Sequence, residues 1–109
     1  EVTQIDVSWS YNWRALQQVQ SGGSAPACSG GTDVWDNFSC GLPTGGNQST
    51  PASLTTLCKT VQITAGGTYT FDEFDFSGAI GGMTMTVVFT HTQVGGGPVH
   101  TSTLNFTVP

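Results

Sequence analysis

Four groups of residues in this chain have types and spacings that could do chemistry. The first is an aromatic strip, Trp9, Tyr11 and Trp13. On a β-strand, alternate side chains share a face and lie roughly 7 Å apart, a spacing that could stack sugar rings. Burial competes with that use, because aromatic rings bring large apolar area to a core. Ile5 and Val7 continue the same face and offer a sugar nothing, which favours burial. The second group is Asp72, Glu73 and Asp75 in Phe71-Asp-Glu-Phe-Asp-Phe76. Paired carboxylates can move protons or hold calcium. A glycosidase needs two of them across a cleft, which one strand does not provide, and no 12-residue calcium loop is present. Outward solubility charges that protect a sheet edge are the simpler reading. The third group is Met83, Met85, His91 and His100, soft ligands suited to copper. A Met-x-Met strand is more commonly core filling. The fourth is three cysteines, Cys28, Cys40 and Cys58, with no CxxC pair and only two histidines beside them, which disfavours zinc.

No G-x-S-x-G and no Cys–His pair with an orienting third group is present, so no nucleophile is identified. The glycine clusters carry no phosphate-loop lysine. The chain reads as a non-enzyme that needs no cofactor or metal. Arg14 and Lys59 are its only basic residues, against seven acidic ones, for a net charge of −5. Nucleic acid and anionic membrane surfaces both require a cationic footprint. No apolar run approaches the roughly 20 residues of a membrane span.

Three N-x-S/T sequons stand at Asn37, Asn47 and Asn105, and they mark candidate glycan sites. With the cysteines and the scarcity of lysine, they point to a secreted, extracellular chain whose expected additions are covalent glycans and disulfides. No signal peptide is visible, so the sequence reads as a chain that is either mature after cleavage or expressed as a segment. One cysteine is left over from any pair. Cys28–Cys40 would close the shortest loop and Cys40–Cys58 would tie a loop to a strand; a bridge involving Cys40 is favoured, with the third thiol buried or linking subunits.

The elements that must position these residues are strands. At 109 residues the chain is one domain. Leu, Ile, Val and Phe make 24 residues, barely above the roughly 20% below which chains tend to disorder, so the core is thin. Residues 2–13 alternate without a break, with Thr3, Ile5, Val7, Trp9, Tyr11 and Trp13 expected on the buried face. Residues 14–20 extend that strand or make one helical turn. Residues 14–32 form a Gly/Ser-rich linker or loop; its last twelve residues would span about 40 Å when extended. Residues 33–109 form the body. There, 34–38 reads as a short strand, 54–64 and 68–76 as a hairpin across Ala65-Gly66-Gly67, and Met83 to His91 as a long strand. A final strand carries Leu104, Phe106 and Val108 inward. No helical periodicity is sustained. The fold class is all-β: a small Ig-like or jelly-roll-like antiparallel β-sandwich with an extended N-terminal strand. The body supplies about five strands where such a sandwich wants about seven.

A short alternating N-terminal strand, a break and a Thr/Gly-rich β body together resemble the organisation of donor-strand pilus subunits. The chain is shorter than chaperone–usher pilins, and its break is richer in Gly and Ser. The resemblance implies a structural subunit of an extracellular, pilus-like filament, its partners being copies of itself. The first strand would insert into a neighbour, with Ile5, Val7, Trp9, Tyr11 and Trp13 as anchors. The alternative is a secreted carbohydrate-binding or adhesive sandwich using Trp9, Tyr11, Trp13 or Trp35. A copper-handling secreted β protein is the third reading.

Overall fold

The computed structural model describes residues 1–21, 33–36, 46–58 and 60–109. Among them lie seven strands and no helix: β1 (Val2–Trp9), β2 (Leu16–Ser21), β3 (Asp33–Asp36), β4 (Ala52–Leu54), β5 (Phe71–Phe76), β6 (Thr84–His91) and β7 (His100–Thr107). They form two antiparallel sheets, ordered β4-β1-β6-β7 and β3-β2-β5, as a small β-sandwich.

The alternation in β1 has the expected consequence. Ile5, Val7 and Trp9 are buried against the second sheet, while Gln4 reaches outside to the Asp6 carboxylate and to Ser53 Oγ at 3.1 Å. Two details differ from the alternating pattern. A register shift between Val2 and Gln4 inverts the parity, so Val2 is buried and Thr3 exposed; an extra residue in a ladder does this to every side chain beyond it. The strand also ends at Trp9. Asn12 N–H bonds to Ser10 O, Arg14 N–H to Tyr11 O, and the Trp9 indole to Arg14 O at 2.9 Å. These bonds turn the chain from one sheet into the other. Tyr11 is therefore half-buried, and Trp13 stands 64% exposed.

Residues 16–21 belong to the core and not to a linker. Leu16 and Val19 are fully buried, and the Ser21 hydroxyl meets Tyr69 OH at 2.9 Å. The connection between β1 and the rest is thus the six residues 10–15. The 54–64 strand does not form: only Leu54 of it lies in a strand, at the end of β4, which pairs with β1, while β5 pairs with β2. The expected hairpin does not form because the intervening segment passes from one sheet to the other. Its Val61 bridges Val2. The β6–β7 hairpin forms as the alternation requires, closed by Gly95, Gly96 and Gly97 with φ of 92°, 110° and 138°, the left-handed region that glycine enters at little cost.

The core lies between β1 and β6 on one side and β2 on the other. Trp9 meets Phe76 edge-on at 5.0 Å, and Phe71 meets Phe89 at 5.1 Å. The contact between Phe71 and Phe89 places β5 over β6. Among the described residues no strand covers β7, whose eight residues are all exposed.

Candidate functional site

Two surfaces result from this arrangement: the slot that β1 fills and the open face beside β7. The slot is built by strand order. β4 and β6 flank β1 and do not pair with each other. β1 bonds to both through Ile5↔Leu54 and Val7↔Ala52 on one edge, and Ile5↔Phe89 and Trp9↔Met85 on the other. Withdrawing β1 would leave two strand edges open and uncover the sides of Leu54, Met85 and Val87 that face it. Ile5, Val7 and Trp9 fill this slot. Tyr11 and Trp13 lie outside it, on the turn, where their rings stack at 4.7 Å with 18° between planes. The turn is anchored by Tyr11 OH to Gly81 O at 2.6 Å, Arg14 Nε to Ala79 O at 2.9 Å, and Ser10 N–H to Thr84 O at 3.0 Å.

The open face is a groove of about 1040 Å³ lined by β5, β6, β7 and the segment before β5. Phe71, Phe74, Phe89, Leu104 and Phe106 form its apolar wall, and Glu1 is the only carboxylate among the described lining residues. Leu104 and Phe106 do share the inward face, as their alternation predicts. They remain 52% and 38% exposed because no described strand lies above them. This groove has no sequence signature of its own, since it results from the offset between a four-stranded and a three-stranded sheet.

The other candidates are scattered. Trp9 and Trp35 are buried and cannot present a ring face to a sugar, so the aromatic strip reduces to the Tyr11–Trp13 pair. Met83 and Met85 are core residues. His91 and His100 face each other across β6 and β7 with rings 6.0 Å apart. Six residues of strand, about 20 Å, separate Met85 from His91, so the copper set is not assembled. No group of three or more His, Cys, Asp or Glu that could hold a metal occurs among the described residues. Glu73 and Asp75 lie on the outer side of β5, opposite Gln20 and Gln18, away from the groove; the Asp72 side chain is outside the described residues. Asn105 is exposed on the outer face of β7 and accepts a 2.7 Å bond from Thr86 Oγ1, and Asn47 is exposed too. Asn37, Cys28 and Cys40 fall outside the described residues. Cys58 is not a free thiol. Among the described residues no helix is long and apolar enough to cross a membrane. Comparison with known protein families, curated proteins and solved structures finds no match.

Proposed function

We propose that this chain is a structural subunit of an extracellular, pilus-like filament, joined by exchange of β1 between neighbouring copies. The observation that carries the reading is the position of β1. It is the first of the described strands, it sits between two strands that are not partners, and residues 10–15 connect it to β2. A slot of this kind is filled equally well by the same strand from the next copy, since every ladder bond and buried contact is reproduced. The six tether residues reach about 20 Å when extended. A head-to-tail contact generates a fibre where its rotation does not close on itself, and that is the geometry proposed. Copies of itself are then the partners. Glycans on Asn47 and Asn105 would project from the outer surface, and Cys58 would be paired with Cys28 or Cys40.

Negative-stain microscopy of the purified chain tests this reading, with thin fibres as the expected result. A preparation holding only an 11.4 kDa species would speak against it. A second reading, a carbohydrate-binding module, is favoured by the Tyr11–Trp13 stack alone, whose Trp13 ring is exposed. Glycan-dependent quenching of Trp13 fluorescence in a fibre-free preparation would support it over the first.

A further inference from the structure

We propose that the groove beside β7 is closed by a second copy of this chain, in a two-fold contact that lays the β7 strands of the two copies over each other. This contact is separate from β1 exchange and does not depend on it.

The argument starts from the offset of the sheets. The order β4-β1-β6-β7 carries one strand more than β3-β2-β5, and β5 lies over β6, so β7 overhangs. β5 pairs only with β2, and β7 only with β6, among the described strands. Among the described residues, each copy therefore offers an overhanging strand with its outer edge unpaired and, opposite it, a space one strand wide beside the β5 edge. A half-turn about an axis between two such molecules places each overhang in the other's open space. Both sheets then run on across the contact, β7 of one copy beside β5 of the other. Sheets pack about 10 Å apart, so the incoming strand occupies the open layer and brings Leu104 and Phe106 onto their counterparts. A patch that is its own complement is the requirement of an isologous dimer.

The chemistry of the surface fits that occupant. Natural sheets protect exposed edges with Lys, Pro, bulges or charge. β7, HTSTLNFT, has no Lys, Arg, Asp, Glu or Pro, and its register with β6 is unbroken. A chain of net charge −5 repels its own copies, yet this face holds a single carboxylate, Glu1. Ile63, Val94, Leu104 and Phe106, all large and exposed, gather on it. An apolar small molecule would cover the floor but leave the β5 edge unpaired. A strand satisfies both.

Sedimentation velocity on the full chain tests the contact, together with mass per unit length for any fibre that forms. The expected soluble species is two chains, twice 11.4 kDa, and the expected fibre has two chains abreast. The double variant Leu104→Asp/Phe106→Asp sets carboxylates into the apolar contact, and the two chains should pair at least about 100-fold more weakly than the parent, given the cost of burying unpaired charge. Its far-ultraviolet dichroism should be unchanged, because both positions are exposed in the single chain. Thr103→Asp, on the outer face of the same strand, should leave the pairing within a few-fold. A parent chain that stays single, a double variant that pairs as tightly as the parent, or an equal loss in Thr103→Asp would each overturn the proposal.

Discussion

A chain lacking residues 1–9 is expected to lose its cooperative fold and to regain it when those nine residues are added as a free peptide, without forming fibres. The truncation removes Val2, Ile5, Val7 and Trp9, all buried, and opens the ladders to β4 and β6. At about 1.5–3 kcal/mol per buried apolar side chain, the loss is on the order of 8 kcal/mol before the ladders are counted. Net stabilities of domains are about 5–15 kcal/mol, so the loss is comparable to the whole. The peptide restores the slot but carries no second subunit, so growth stops at one. Dichroism follows the fold and light scattering follows the fibres. A truncated chain with an unchanged melting curve would show that the slot does not hold the domain together.

The second large effect is expected from Ile5→Asp mixed with the parent chain during assembly. Ile5 is fully buried between Leu54 and Phe89. A carboxylate there cannot enter either its own slot or a neighbour's without a penalty of several kcal/mol. The variant keeps an intact slot of its own, so it accepts a strand and cannot donate one. One variant in about ten chains should cut the mean fibre to roughly ten subunits, because a head-to-tail chain ends at the first copy that cannot donate. Length distributions from microscopy measure this. Lengths independent of the variant fraction would contradict donation by β1.

Those effects rest on features that were unevenly legible in the amino-acid sequence. The all-β class, β1, β6 and β7 follow from period two. β2 did not, because a register shift between Leu16 and Gln18 spaces its buried residues at 16 and 19, the interval of a helical turn. A shift of the same kind moved Thr3 out of the core. Trp13 continued the alternation of β1, but the chain had already begun crossing between sheets. For β7, the inward face was readable from Leu104 and Phe106, whereas its burial was not. Burial depends on how many strands stand opposite, and no local pattern encodes that number. The five described strands of residues 33–109 match the count from sequence, and β1 and β2 bring the described total to seven.

The central claim, that β1 is held by a neighbouring copy, is tested most directly by placing cysteines at Ser8 and Thr86. These residues stand opposite each other across β1 and β6. Directly opposed positions in an antiparallel pair lie about 4.5–5.5 Å apart at Cα, within disulfide reach. Fibres assembled from equal parts of ¹⁴N and ¹⁵N Ser8→Cys/Thr86→Cys chains would be oxidised, and the peptides bridging positions 8 and 86 read by mass spectrometry. Exchange of β1 predicts that half the bridges join one isotope to the other and that the chains run as a covalent ladder on a non-reducing gel. Bridges that all lie within one isotope, with the protein running as a single chain, would contradict it.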